Sequence, residues 1–164
     1  MKKVYLAGPT VFFKDSLSYF DTLKNLCAQY GLEPLVPFES DNDEPLASVE
    51  IFKKNIEKIH QSSVVLADLN PFRSEAFEPD SGTVFEIGYA FGIHKKIVGV
   101  VHDTRPLKDK LTVSLGSHFE SDKYFDNKYN LLVEDFGHPL NLMLAHSSML
   151  FDSYQKALEH ISKN

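Results

Sequence analysis

The sequence predicts an α/β fold: a flavodoxin-like, doubly wound parallel sheet of five strands with helices on both faces. Short apolar runs alternate along the chain with amphipathic segments, which is the pattern of strands joined by crossover helices. Two of these runs, Val-Val-Leu-Ala-Asp at 64–68 and Ile-Val-Gly-Val-Val at 97–101, are apolar on both strand faces, which indicates a sheet covered on each side. The length of 164 residues is that of one domain, so a single domain over residues 1–164 is expected.

The elements follow one another in a β-α order. Strands are predicted at residues 4–7, 33–36, 64–68, 97–101 and 130–133. A first helix follows Asp15 and Ser16, with apolar residues at 17, 20, 23, 26 and 27, and further helices are predicted over 47–59, 83–93, 141–150 and 154–161. Residues 103–129 are polar and rich in Lys and Asp, which predicts a long surface excursion. In such a sheet, ligands bind at the carboxyl ends of the strands.

The composition argues against several classes of protein. The net charge is −6 and there is no basic stripe, which argues against nucleic-acid binding but not against a neutral nucleoside ligand. Cys27 is the only cysteine, so no intrachain disulfide is expected. Neither a signal peptide nor a run of 18 apolar residues is found. These features lead us to expect a cytoplasmic protein that does not enter a membrane.

Motifs for common cofactors and catalytic sites are missing from the sequence. There is no Gly-x-Gly-x-x-Gly, no Gly-Lys-Ser/Thr and no Gly-x-Ser-x-Gly, so dinucleotide, P-loop and serine-hydrolase functions lose their main support. The seven histidines include no His-x-x-x-His pair. With a single cysteine, neither a metal site nor a cofactor is expected.

Three segments contain candidates for chemistry. Gly8 and Pro9 follow the first strand, where a glycine lets the backbone approach a ligand, although a plain turn fits as well. Asn141 lies in an apolar run and either caps a helix or presents its amide to a ligand. The third segment runs from the third strand through a Pro-rich loop to Glu86.

Glu86 is expected in the first turn of a helix, after the cap-like residues 80–83. A glutamate there usually complements the helix dipole. Phe85, Ile87 and Gly88 nevertheless make its surroundings apolar, and a carboxylate held in such a place can attack a sugar carbon. A capping role and a nucleophilic role both remain open on spacing alone.

Four sequence blocks together resemble the nucleoside deoxyribosyltransferase family. They are Val-Tyr-Leu-Ala-Gly-Pro at 4–9, Ala-Asp-Leu-Asn-Pro-Phe-Arg at 67–73, Glu-Pro-Asp-Ser-Gly-Thr-Val-Phe-Glu-Ile-Gly at 78–88 and Asn-Leu-Met at 141–143. They occur in the family's order and cover most of the chain, with the weakest likeness over residues 103–129. One block would be weak support, but four in order are specific.

The resemblance implies a role for each matching residue. Glu86 matches the nucleophile that attacks the anomeric carbon of deoxyribose, and Tyr5 matches the tyrosine that orients it. The Tyr5 hydroxyl and the helix N-terminus are both expected to favour the ionised carboxylate. Asp80 matches a carboxylate that holds the sugar hydroxyls. Other residues expected to bind substrate are Gly8, Pro9, Phe12, Asn55, Asp68, Phe72, Arg73, Ser81, Gly82, Asn141 and Met143.

The implied partners are deoxynucleosides, free nucleobases and further copies of the chain. Asn141 and Met143 match residues that a neighbouring subunit donates, so at least a dimer is expected. Asn55 departs from the family, because several members have an aspartate there that is a candidate acid, and an amide cannot donate a catalytic proton in that way. The proton for the leaving base then has to come from Asp68, Asp80 or solvent.

Two alternatives to a transferase stay open on the sequence. One is a deoxynucleotide or deoxynucleoside N-glycoside hydrolase of the same superfamily, which would need a phosphate cradle near Gly8 if its substrate is a nucleotide. Residues 9–12 offer little of that, although Arg73 can contribute. The other is a non-catalytic nucleotide sensor, which would not need Glu86 beside Tyr5. Measuring base release with and without an acceptor base distinguishes the transferase, the hydrolase and the sensor.

Overall fold

A computed structural model describes residues 1–37 and 46–164. Its strands are β1 Lys2–Ala7, β2 Leu32–Leu35, β3 Val64–Asp68, β4 Lys96–Val100, β5 Ser117–Glu120, β6 Lys123–Asp126 and β7 Met149–Phe151. Its α-helices are α1 Ser16–Gln29, α2 Ser48–Gln61, α3 Ser81–Gly92, α4 Leu107–Leu115, α5 Leu142–Ser147 and α6 Tyr154–Lys163. A short 3-10 helix, Pro9–Phe12, follows β1.

The central sheet has five parallel strands in the order β2-β1-β3-β4-β7. This confirms the predicted flavodoxin-like, doubly wound sheet. The chain leaves β1 for β2 on one side and returns to β3 on the other, where Val4 lies beside Val64. The direction of winding therefore reverses between β1 and β3, and a ligand crevice is expected at the carboxyl ends of these two strands.

Alternate side chains of β1 enter two different cores. Val4 and Leu6 pack into a layer formed with α1 and α6, whereas Tyr5 and Ala7 point into the layer formed with α2, α3 and α5. Helices thus cover both faces, as predicted. The same alternation directs the Tyr5 side chain towards α3.

The fifth strand was predicted at the wrong place. Residues 130–133 contribute only an isolated antiparallel bridge between Leu132 and Phe125. The fifth strand is β7, which pairs with the open edge of β4. Residues 141–150 were predicted as one helix, but Ser148 is extended with φ −136° and ψ 150°, and the chain continues as a strand. Pairing with β4 outweighs the local helical pattern.

The 103–129 segment was predicted as an irregular excursion, and it contains regular structure instead. It forms α4 and the antiparallel hairpin β5–β6. Helix α3 also starts earlier than predicted, at Ser81, so Glu86 is its sixth residue and lies in the second turn rather than the first. None of the helices in the described residues combines the length and apolar character needed to cross a membrane.

Candidate active site

Tyr5 and Glu86 meet at the junction of β1 and α3. The Tyr5 side chain is fully buried, and its hydroxyl donates a hydrogen bond to Glu86 Oε1 at 2.5 Å. Glu86 lies on the face of α3 that also carries the buried Thr83 and Ala90, three residues before and four residues after it. The carboxylate is therefore turned towards the sheet. Its second oxygen, Oε2, accepts no hydrogen bond from residues 1–37 or 46–164.

Burial dominates the electrostatics of this pair. It raises the pKa of Glu86 to about 7, because a charged carboxylate loses hydration there. The hydrogen bond from Tyr5 lowers this pKa, and the nearby Asp80 carboxylate raises it further. Burial and the adjacent Glu86 also raise the pKa of Tyr5, so the phenol stays protonated and remains a donor. The hydrogen bond from Tyr5 favours the ionised form, as expected from the sequence, but desolvation outweighs it and the net shift of the Glu86 pKa is upward.

Asp80 is the N-cap of α3. Its Oδ2 accepts hydrogen bonds from the Thr83 backbone N–H at 2.9 Å and from Thr83 Oγ1 at 3.1 Å. Gly82 gives this carboxylate room, because a Cβ at that position would lie 3.0 Å from Asp80 Oδ2. The predicted capping role of residues 80–83 is therefore confirmed. Within the described ranges, Asp80 Oδ1 has no hydrogen-bond donor, which leaves it open to a ligand.

Gly8 packs against the start of the β3–α3 loop. A Cβ on Gly8 would lie 3.0 Å from Asp68 Cβ, so a larger residue would push β1 and β3 apart at their carboxyl ends. Asp68 is itself engaged as an acceptor. Its Oδ1 receives hydrogen bonds from the Asn70 backbone N–H at 3.0 Å and from Asn70 Nδ2 at 2.6 Å. Burial and the nearby Asp68 carboxylate raise the pKa of Tyr154, a residue that the sequence did not suggest. Oδ1 of Asp68 is thus already used as an acceptor by Asn70.

Two phenylalanines and an arginine form a flat surface beside Gly8 and Pro9. The rings of Phe12 and Phe72 stack with centroids 5.4 Å apart, and the Arg73 guanidinium lies 4.6 Å from the Phe72 centroid. Arg73 adopts a left-handed backbone conformation, with φ 51°, that turns the loop at this point. A planar heterocycle can stack on such a surface.

Asn55 presents an unusual buried atom. Its Oδ1 is inaccessible to solvent and has no hydrogen-bond partner in the described part of the chain. Asn55 lies on α2, which packs against α3 through Phe52 and Phe85, with ring centroids 5.9 Å apart. A buried acceptor without a donor costs free energy, and none of the described residues supplies that donor.

Asn141 and Met143 occupy the start of α5. Asn141 is the N-cap, and its Oδ1 accepts from the Met143 backbone N–H at 2.9 Å, so one of its two predicted alternatives, capping, is observed. Met143 is 71% exposed and lines a small apolar cavity of about 240 Å³ with Val84, Gly88 and Phe91 of α3. Neither residue contacts Glu86 through a hydrogen bond within this chain.

Glu86 does not line either of two sizeable cavities in the described residues. One, of about 610 Å³, opens at the amino ends of the strands beside Lys2, Val64 and Lys96. Another, of about 510 Å³, borders Ser81 and Asn141. Among residues 1–37 and 46–164, no group of three or more His, Cys, Asp or Glu side chains is arranged to hold a metal ion.

The chain is similar to a known protein family and to several solved structures. Residues 4–143 match the family model described as nucleoside 2-deoxyribosyltransferase. The solved structure of a 2-desoxiribosyltransferase from Leishmania mexicana is 34% identical with a TM-score of 0.79, and covers 100% of this chain and 99% of its own. A conserved protein from Enterococcus faecalis V583 shares the fold at 21% identity and a TM-score of 0.64, with 99% and 98% covered.

A sequence relative is an uncharacterized protein of Schizosaccharomyces pombe. It is 31% identical over 114 residues, which is 66% of this chain and 54% of the relative. The chain thus spans about half the length of the curated relative that it matches.

Proposed function

Because the chain belongs to the nucleoside 2-deoxyribosyltransferase family, we propose that it transfers the 2-deoxyribosyl group of a deoxynucleoside to a second nucleobase through an ester on Glu86. One observation carries the proposal: the buried Tyr5 hydroxyl lies 2.5 Å from Glu86 Oε1. That bond fixes the carboxylate and leaves Oε2 free to attack a carbon atom.

The reaction proceeds in two displacements. Oε2 of Glu86 attacks the anomeric carbon, the N-glycosidic bond breaks, and the base departs with the bonding electron pair. A nitrogen of the second base then attacks the same carbon from the opposite face, the ester bond breaks to return the carboxylate, and the nitrogen loses its proton to the group or solvent that protonated the first base. Two inversions retain the configuration. Tyr5 keeps its proton throughout and holds Oε1.

Other residues of the site bind the sugar and the base. The free Oδ1 of Asp80 is placed to accept hydrogen bonds from sugar hydroxyls, while Oδ2 remains committed to the helix cap. The Phe12–Phe72 surface stacks against the base. The buried Oδ1 of Asn55 accepts an N–H of the base. The departing base takes its proton from Asp68, Asp80 or solvent.

The active form is an oligomer of at least two chains in this proposal, with Asn141 and Met143 completing the site of a neighbour. Two observations support it. Met143 is 71% exposed, and Phe91 of α3, which lines the same cavity, is 59% exposed. Such an apolar surface is of the kind that a protein contact covers.

The proposal is tested by products and by a trapped intermediate. The enzyme is incubated with a deoxynucleoside, with and without a second base, and the products are identified. A new nucleoside that carries the second base supports the transferase. If base and free sugar are released equally with and without the second base, the protein is a hydrolase. Without acceptor, mass spectrometry of the digested protein is expected to show a deoxyribosyl adduct on the peptide that contains Glu86.

Glu86→Ala is expected to abolish transfer, with a loss of at least about 4 kcal/mol of transition-state stabilisation, or roughly a thousandfold in rate. Glu78→Ala is the matched control, because this glutamate is exposed and lies in the loop before the same helix. Retention by Glu86→Ala of a rate within about tenfold of the wild type would remove Glu86 as the nucleophile.

A further inference from the structure

We propose that Glu134 is a positioning residue that fixes the orientation of the Asn141 amide, so that Asn141 offers an N–H donor to the ligand in the neighbouring site. The inference rests on the proposed function, in which Asn141 completes that site. Glu134 belongs to none of the sequence blocks that suggested the family.

The contacts of Glu134 hold both the side chain and the backbone at the start of α5. Its Oε1 accepts from Asn141 Nδ2 at 2.6 Å, and its Oε2 accepts from the Leu142 backbone N–H at 2.9 Å. On the other side of the amide, Asn141 Oδ1 accepts from the Met143 backbone N–H at 2.9 Å. The NH₂ group of the amide therefore faces an acceptor, and its oxygen faces a donor.

These partners select one of the two amide orientations. Turning the amide over would place its oxygen against the Glu134 carboxylate and its NH₂ group against the Met143 N–H, which pairs acceptor with acceptor and donor with donor. In the observed orientation, one Nδ2 proton bonds Glu134 and the second remains available. The group that Asn141 presents is a hydrogen-bond donor, which suits an oxygen or nitrogen acceptor on a neutral nucleoside.

The position of Glu134 is itself determined by the β5–β6 hairpin. The preceding residue, Val133, is buried, and its backbone N–H donates to the Tyr124 carbonyl of β6 at 2.9 Å. The chain from β6 through Val133 and Glu134 to Asn141 is thus linked by successive contacts. The 103–140 region therefore supports the start of α5, which carries Asn141 towards the neighbouring site.

Glu134→Gln is the test variant, because it keeps the size of the side chain and replaces one of the two acceptor oxygens by an NH₂ donor, so that Asn141 Nδ2 and the Leu142 N–H can no longer both be accepted. Asp135→Asn is the matched control: Asp135 is the next residue and pairs with Lys108 at 3.0 Å, away from Asn141. Glu134→Gln is expected to raise the KM for the deoxynucleoside about tenfold, or ~1.4 kcal/mol, with kcat little changed. Asp135→Asn should leave both constants at wild-type values.

A second measurement does not depend on catalysis. In ¹⁵N-labelled protein, the two side-chain amide protons of Asn141 are assigned by the loss of their signals in Asn141→Ala. Their chemical shifts should be well separated in the wild type and should move together in Glu134→Gln. Unchanged Asn141 signals, or an unchanged KM in Glu134→Gln, would overturn the positioning role. If the wild type transfers no deoxyribosyl group at all, the proposed function fails, and the amide signals still report whether Glu134 orients Asn141.

Discussion

At the scale of single residues, the site depends on opposing effects at Glu86. Burial raises the pKa of this carboxyl, while the hydrogen bond from Tyr5 lowers it. The sequence identified both residues through motifs that lie 81 positions apart. It could not predict the net direction, because the loss of hydration depends on how closely α3 packs on β1. The N-cap at Asp80 was predictable, since it involves residues only three positions apart.

The pKa of Glu86 leads to an expected pH dependence. A nucleophile must be ionised, and with a pKa of about 7 the fraction of ionised Glu86 in the free enzyme rises as the pH increases through 7. We expect kcat/KM to fall about tenfold per pH unit below that value and to level off above it. Rates measured from pH 5 to 9 check this.

Tyr5→Phe provides the control for this profile. It removes the hydrogen bond that lowers the Glu86 pKa, so the acidic limb should move to higher pH. A limb near pH 4 in the wild type would contradict the dominance of burial at Glu86, and an unshifted limb in Tyr5→Phe would contradict the lowering of the Glu86 pKa by the hydrogen bond.

At the scale of secondary-structure elements, the sequence predicted the strands and helices that depend on contacts within a short stretch of chain. The first four predicted strands and the helices between them are present, because apolar periodicity reflects the faces that they bury. Strand β7 was missed because three apolar residues after a helix gain strand geometry only by pairing with β4. Helix α4 was missed because the residue that it buries is a lysine, Lys110, and not an apolar residue.

Lys110 is the buried residue of α4 and joins three segments. Its Nζ donates to the Pro139 carbonyl at 2.6 Å and to the Asp103 carbonyl at 3.3 Å, and it lies 5.3 Å from the Phe77 ring centroid. Burial lowers the pKa of this lysine. Its two carbonyl partners satisfy the ammonium without a carboxylate.

Lys110→Met is expected to lower the free energy of unfolding by about 1–3 kcal/mol, because it leaves the two carbonyls without a donor, although relief of the buried charge offsets part of that loss. Denaturant unfolding curves provide the measurement. Lys108→Met is the control two residues earlier on the same helix, and its exposed pair with Asp135 should matter little. Equal stability of the two variants would show that Lys110 does not support α4.

At the scale of the whole molecule, the proposed site extends beyond one chain. Glu86 and Tyr5 face the crevice of their own sheet, whereas Asn141 and Met143 lie on a surface with exposed apolar side chains. A site shared in this way predicts complementation between two defective variants.

Glu86→Ala and Asn141→Ala are each expected to have little activity alone. Refolded together in equal amounts, they form mixed dimers in which one of the two sites has an intact Glu86 and an intact Asn141. Random assortment into dimers then restores about a quarter of the wild-type sites. Transfer activity of the mixture that equals the mean of the two variants would show that Asn141 does not serve a neighbour, and sedimentation of the wild type reports the number of subunits.

The pairing of β1 with β3 also has a consequence for how the protein reaches its native state. Val4 lies beside Val64, and the Tyr5 hydroxyl bonds a residue 81 positions later in the chain. Contacts of such long sequence separation form slowly, because a large loop must close before they stabilise anything. During synthesis, more than half of the chain must leave the ribosome before the phenol can meet its carboxylate. Until then the apolar edge of β1 that β3 later occupies is free to pair with other strands, and this makes β1 a point where a chaperone would act.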